Sequence, residues 1–324
     1  MAADHGTEER DAHGRHAESP SEIPWRGYKD VLWRVYSEVM EDRVSMIAAG
    51  VTYYIVLAIF PAMGVLVSLY GFIADPATIT QQLDFLKDML PPGSYDLLAP
   101  QLTELAAQDR SSLSFAFITS LLIALWSATN GIKALFEAMN VAYGEEEKRG
   151  FLRLNLQAIG FTLGALATLI LLIVAVGIVP AVLSVLYLDQ WAETLARLAR
   201  WPLLLLVIGG ASVMIYRYGP SREDAKLRWI NWGVAFSTIL WAVATILFSI
   251  YLLNFANYNA TYGTLGTLIG FMVWIWISVI ILIVGAEINA ELEHQTRKDS
   301  TTGPDKPMGE RGAVMADTVG ETAD

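Results

Sequence analysis

The chain contains no cysteine, which excludes disulfides, thiol nucleophiles and thiolate metal sites. Histidine is nearly as scarce, with four residues at His5, His13, His16 and His294. There is no HExxH, no clustered His/Asp set, no phosphate-binding loop, no GxSxG and no dinucleotide fingerprint. The residues therefore give no catalytic, metal-binding or cofactor-binding set, and neither an enzyme nor a cofactor is expected. Charge is low as well. Charged residues make up 17% of the chain against 54% hydrophobic, and from Trp229 to Ala286 there are 58 residues without Asp, Glu, Lys, Arg or His.

What fills that run is apolar. A helix rises about 1.5 Å per residue, so roughly 20 residues span a ~30 Å hydrocarbon core. The run holds two crossings and a polar, uncharged turn around Asn254, Asn257, Asn259 and Tyr262. Six spans are predicted along the chain, at 44–73, 113–139, 156–187, 202–217, 230–254 and 265–290. The fold class is thus all-α, a polytopic membrane protein, with amphipathic helices at the inner surface (25–40) and in the first outer loop. In that loop Asp75-Pro76 starts a stripe of Ile79, Leu83, Leu86 and Leu90. In 25–40, Trp25, Tyr28, Leu32, Trp33, Tyr36 and Met40 share a face, a pattern suited to a membrane surface.

The net charge of −11 says less about partners than it suggests, because 12 of the 33 acids lie in 1–22 or 299–324. Both ends are polar and poor in large apolar residues. The domain reading is a disordered acidic tail over 1–22, a six-helix membrane domain over 23–293, and a disordered C-terminal tail over 294–324. The first 22 residues lack an apolar core, so no cleavable signal is expected and the first span directs insertion. An acidic balance argues against nucleic acid; membrane lipids and an amphipathic substrate are the expected partners. Lys and Arg alternate rich and poor between successive loops. By the positive-inside rule this puts both termini in the cytoplasm.

Counting depth along the spans gathers Asp42, Arg43, Asn130, Lys133, Asn140, Arg217, Asn231, Glu287 and Asn289 near the inner interface. They form the candidate polar cluster. Glu287 opposes the dipole at its helix C-terminus, so a partner is expected, either a salt bridge to Arg43 or Arg217 or a bound headgroup or solute. Lys133 has Glu137 one turn away. The midplane carries Thr52, Tyr53, Tyr54, Thr245, Trp274, Trp276 and Ser278 but no charge, which argues against a proton relay there. Pro61 is a candidate hinge in span one, and Pro180 is expected to kink span three. Gly160-x-x-x-Gly164 and Gly266-x-x-x-Gly270 predict close helix packing.

The string from Asp42 to Tyr53-Tyr54 and Phe60-Pro61 resembles the first span of the YihY / virulence factor BrkB family. So do Ala138-Met-Asn140 with Tyr143, and Tyr262-Gly-Thr-Leu-Gly266 running through Trp274 to Gly285-Ala-Glu287-Ile-Asn289-Ala290. The resemblance covers residues 25–293. It implies a six-helix bacterial inner-membrane protein. Some members have been labelled ribonuclease BN, a label these residues do not support. Three functions are consistent with the sequence: a transporter or export factor for an amphipathic or lipid-like molecule, a non-transporting envelope scaffold, and a solute or ion transporter. Substrate, direction, energy coupling and oligomeric state are left open.

Overall fold

The structure, a computed structural model, describes residues 12–73, 110–172, 190–254 and 264–323. The predicted outer-loop helices and Pro180 lie outside these residues. Among the described residues seven long helices follow one another: α1 (Trp25–Glu41), α2 (Val44–Ile73), α3 (Arg110–Ala142), α4 (Phe151–Leu172), α5 (Gln190–Tyr218), α6 (Leu227–Asn254) and α7 (Thr264–His294), followed by a single turn, α8 (Val314–Asp317). Among the described residues there is no strand beyond one isolated bridge between Ala225 and Thr301. The protein is an all-α polytopic membrane protein, as its hydropathy requires.

Five stretches are long and apolar enough to cross a membrane: Val44–Ala62, Phe117–Ala142, Phe151–Leu169, Leu227–Leu252 and Leu268–His294. A shorter apolar stretch, Pro202–Tyr218, belongs to α5. Within the described residues the predicted limits hold closely except there. Span four is predicted from 202, yet α5 begins at Gln190 and runs through Pro202. Likewise α2 continues past Pro61. Proline inside a membrane helix is tolerated because neighbouring groups can satisfy the freed carbonyl.

The helices pack side by side in the order α4, α3, α2, α7, α6, α5, with α1 lying on α7. Among the described residues the row closes at one end. There Gln157 of α4 donates to Tyr218 O of α5 at 2.7 Å, and Arg149 Nη2 donates to Gly219 O at 2.8 Å. Elsewhere among the described residues α4 and α5 share no extended packing. This closed end also carries both described chain ends, since Gln295 Nε2 donates to His13 O at 2.6 Å; it is called the basal end below.

The buried core is basal too. Val44, Ala48, Val51, Phe136, Met139, Tyr143, Tyr216, Ile230, Ile283, Ala286 and Ala290 form one cluster. Ala17, Ile23, Val31, Val35, Trp229 and Leu292 form a second beneath α1. Away from this end the helices present Leu122, Trp126, Leu163, Leu166, Leu206, Ile239 and Leu247 outward. An aqueous protein rarely exposes so large an apolar band; here it faces lipid.

Helix α1 shows how the surface reading plays out. Trp25, Leu32, Trp33, Tyr36 and Met40 are exposed, while Asp30, Arg34 and Val35 are buried. The apolar face points away from the protein and the polar residues bind inward, the reverse of a surface helix in a soluble domain. Between α1 and α2 the chain turns at Arg43, whose φ of 51° is left-handed. That costs a non-glycine residue about 1–2 kcal/mol.

The tails correct their predicted disorder. Apart from residues 1–11 and 324, which lie outside the described set, they are folded. Arg311 donates to Ala316 O at 2.6 Å and Arg297 O at 2.8 Å. Asp317 accepts from Gly309 N and Gly312 N at 2.7 and 3.0 Å. Asp299 accepts from Thr301 and Lys306, and these amides hold its carboxyl below the ordinary value in spite of the burial that opposes its charge. The segment 295–323 crosses the basal end, where Val314 N donates to Glu145 Oε1 at 2.7 Å and Gly320 N to His294 O at 2.9 Å.

Candidate functional site: the basal polar layer

The predicted cluster divides when its members are placed. Asp42, the C-cap of α1, is half-buried, and Glu287 on α7 is 1% exposed with an Oε1 that no donor reaches. Asn289 is fully buried and its Oδ1 accepts from Gly233 N at 2.7 Å. Asn140, also buried, accepts from Ser221 N at 2.7 Å and donates to Glu147 at 3.1 Å. Lys133 bonds Asn155 at 3.3 Å rather than Glu137, which is exposed. Asn130 is half-buried one turn away from Lys133. Arg43 and Asn231 are exposed.

The expected salt bridge to Glu287 is not formed by either arginine. Arg217 pairs with Asp224 at 3.6 Å and lies over the Tyr218 ring, and Arg43 turns outward at the α1–α2 corner. Side chains at one depth along their helices are brought together only if the helices are rotated toward each other. Glu287 and Asn289 show this: two residues apart on α7, they meet different neighbours.

The groups that organise the layer were mostly not singled out from sequence. Arg34 of α1 pairs with the Glu291 carboxylate and donates to Gln295 Oε1 at 2.8 Å and Glu321 O at 2.6 Å. Arg222 pairs with Glu293 at 2.7 Å, both side chains being within 1% of full burial. Burial works against the Arg222 charge, but Glu293 outweighs it and holds the guanidinium above its ordinary value. Asp30 takes His13, Gln295 and Ala323. The spacing of Glu287 and Glu291, one turn apart, was the available signal for an acidic stripe facing α1.

The loop after α3 supplies a pH-sensitive joint. Glu147 accepts from Arg149 Nη2 at 2.6 Å, from Arg149 N at 2.8 Å and from Asn140. Burial opposes its charge, yet these donors bring the carboxyl down from 4.5 to about 2. A depressed folded value means the stabilisation is whole above the unfolded value of 4.5 and is lost as pH falls through about 2. Protection of the Arg149 amide against hydrogen exchange should therefore weaken across that window in the wild type. Glu147→Gln should remove the acid dependence; an unchanged profile in the variant would refute the assignment.

Beside this loop, at the base of α4, a hollow is lined by Gly150, Phe151, Leu152, Arg153, Leu156 and Gln157. Phe151, Leu152 and Leu156 are exposed. Arg153 and Gln157 supply the polar groups, and Gln157 is also the residue that closes α4 onto α5. Above the hollow no described residue between the basal layer and the far end is charged. The midplane polar groups are spent inside the bundle: Trp274 Nε1 donates to Thr245 Oγ1 at 3.4 Å, Trp241 Nε1 to Ser278 Oγ at 3.0 Å, and Thr52 Oγ1 to Ala48 O at 2.7 Å. Among the described residues no three His, Asp or Glu side chains are arranged to hold a metal ion.

Comparison with known proteins agrees with the architecture. A family profile described as virulence factor BrkB matches residues 35–309, so the match runs into the folded C-terminal tail. A Bacillus subtilis protein named ribonuclease-like protein YfkH is 32% identical over 267 residues, covering 78% of this chain and 90% of that protein. A UPF0761 membrane protein of Haemophilus influenzae is 21% identical over 274 residues, covering 84% and 97%. One from Aromatoleum aromaticum is 22% identical over 274 residues, covering 83% and 65%. No solved structure matches the chain. Of these three relatives, one carries the ribonuclease-like name and two the membrane-protein name.

Proposed function

Because this chain belongs to the virulence factor BrkB family, we propose that it is an inner-membrane transporter or export factor for an amphipathic, lipid-like molecule, with both termini in the cytoplasm. The observation that carries this reading is the arrangement of α4 and α5. They meet at the base through Gln157 and Arg149 and share no extended packing above it among the described residues. Apolar walls above a polar floor suit a molecule whose head is polar and whose body stays in the bilayer. The basic loops on the side of the tails support the orientation. Among the described residues no group of His, Asp or Glu side chains could hold a metal ion, and the reading assigns the protein no ribonuclease activity.

Reconstitution into vesicles with fluorescent phospholipids tests it. Transbilayer movement of at least one labelled lipid should exceed that of protein-free vesicles, and Gln157→Leu should alter the rate at matched protein content. Equal rates with and without protein, across anionic and zwitterionic lipids, would sink the proposal for those lipids.

A second reading, a non-transporting scaffold, is favoured by one observation. Most polar side chains of the basal layer are bound to other parts of the chain, Arg34, Asn140, Arg222 and Asp30 among them. On that reading every basal variant changes folded yield and none changes lipid movement once yield is matched.

A further inference from the structure

Helix α1 sorts its charges by face. Trp25, Leu32, Trp33, Tyr36 and Met40 point outward, and Trp25, Tyr36 and Met40 are 68, 70 and 63% exposed, too much for packing against the rest of the chain. At about 100° per residue, Arg26 and Lys29 fall within the same arc, and both are exposed. The acids of the helix do not. Asp30 is buried and bound by His13 and Gln295. Glu38 is half-buried, and Glu41 lies past the arc at the C-terminal end. Just ahead of the helix, the Glu22 carboxylate accepts from the Glu18 amide at 2.8 Å and the Ser19 hydroxyl at 3.2 Å.

The surface continues onto α6. The rings of Tyr28 on α1 and Trp232 on α6 have centroids 6.0 Å apart, and Trp229 is buried beneath α1 with Val31 and Val35. Trp232 is exposed, and so is Arg228, one turn earlier on the same face of α6. Asp305, near the start of α6, is held by Lys226 at 3.3 Å. Arg26, Lys29 and Arg228 thus stand on one aromatic surface, and among the described residues none of them has a carboxylate partner.

This surface needs counter-charge and an apolar medium at once. An acidic polypeptide or a nucleic acid would answer the cations and leave the apolar side chains in water. The hydrocarbon core would answer the apolar side chains and strand the cations. A phospholipid headgroup layer answers both, since aromatic rings sit at that depth and Lys and Arg stems lie along apolar surface with their charges outward. A zwitterionic headgroup carries its own cation beside the phosphate. An anionic one does not, and it gives the leaflet a negative potential that draws Lys and Arg. Guanidinium groups also grip phosphate oxygens in pairs. The whole chain, at −11, is repelled by such a leaflet, so the attraction has to come from a face sorted in this way. We propose that the outward face of α1, with Arg228 and Trp232 of α6, is a docking surface for anionic phospholipid, α1 lying in the plane of the leaflet at the basal end. Docking the outward face also holds the inward one, where Arg34 donates to Glu321 O at 2.6 Å and Asp30 accepts from Ala323 N at 3.0 Å. Anionic lipid therefore steadies the C-terminal segment through α1. The hollow at the base of α4 takes no part, and the surface stands independently of transport.

The test uses the full chain in nanodiscs of phosphatidylcholine alone and of phosphatidylcholine with an equal share of phosphatidylglycerol. Hydrogen exchange over 25–41 should be slower in the phosphatidylglycerol discs by about fivefold for each cation engaged, and exchange over 318–323 should slow with it. Raising the salt should shrink the difference between the discs. In Arg26→Gln/Lys29→Gln/Arg228→Gln, whose altered side chains are exposed, the two discs should give equal exchange over 25–41 while α7 keeps its wild-type protection. If that variant does not fold, Lys29→Gln is read on the same terms, with about a fivefold loss. Inorganic phosphate added to the phosphatidylcholine discs should not reproduce the protection; full protection by it would overturn the assignment to a lipid headgroup. Equal exchange of the wild type in the two discs would also overturn the proposal and leave the face to a protein partner, as would a phosphatidylglycerol effect that the triple variant retains in full.

Discussion

Alanine at Gly233 is expected to remove most of the folded protein recovered from membranes. Gly233 lies on α6 where it crosses α7. A β-carbon there would sit inside contact distance of the Gly285 carbonyl and within 2.5 Å of the Asn289 carboxamide. Neither obstacle is a flexible side-chain end. One is backbone, and the other is the group to which Gly233 N itself donates at 2.7 Å. Overpacking that side chains can absorb costs about 1–3 kcal/mol. Stranding a buried donor adds about 1–3 kcal/mol. Together these are a large share of an ordinary folding free energy of roughly 5–15 kcal/mol. Gly285 is closed by the same crossing, with the Tyr216 hydroxyl and Gly233 O against its missing β-carbon, so Gly285→Ala should behave alike. The measurement is monodisperse yield and melting temperature in detergent. Wild-type values for Gly233→Ala would refute the packing argument. Gly160→Ala and Gly164→Ala are the internal controls: nothing lies within 4 Å of either position, and removing a helix-interior glycine should leave stability level or slightly higher.

That contrast marks where sequence reading stops. The motif Gly160-x-x-x-Gly164 predicts a close crossing and lies open on α4, whereas the tight crossing uses Gly233 and Gly285, which no short motif connects. Hydropathy fixes how deep a residue sits, because water and lipid are layered along the helix axis. It says little about rotation around that axis when lipid and protein faces are equally apolar. The spans and the amphipathic face of α1 were therefore legible. That Glu287 pairs with neither Arg43 nor Arg217 was not. The tails were misread for another reason. Composition measures the capacity to bury apolar surface, but 295–323 is held by hydrogen bonds to Arg15, Arg34, Glu145 and Arg311. Met315 supplies one of its few core contacts.

A further attachment, the buried Arg222–Glu293 pair, gives the second large effect. Arg222→Ala is expected to release the tail from the basal end. The guanidinium donates to both Glu293 oxygens, at 3.3 and 2.7 Å, and lies 5.0 Å over the Tyr143 ring. Glu293 Oε2 also accepts from Ser300 Oγ at 2.7 Å, which joins the pair to the first residues of the tail. With the arginine gone, Glu293 would be a fully buried carboxylate with one neutral donor, a loss of about 3–5 kcal/mol when a buried pair is broken from one side. The tail can relieve that cost by opening, since Lys226 N–Ser300 O and Thr302 N–Asp224 O are single backbone bonds at the same place. Hydrogen exchange over 295–323 should rise at least tenfold, and limited proteolysis should cut there before it cuts any helix. Replacing both partners, Arg222→Met with Glu293→Leu, removes the stranded charge and should restore most of the protection. If the single variant protects the tail as well as the wild type, or if the double variant is no better than the single, the buried pair is not what fastens the tail.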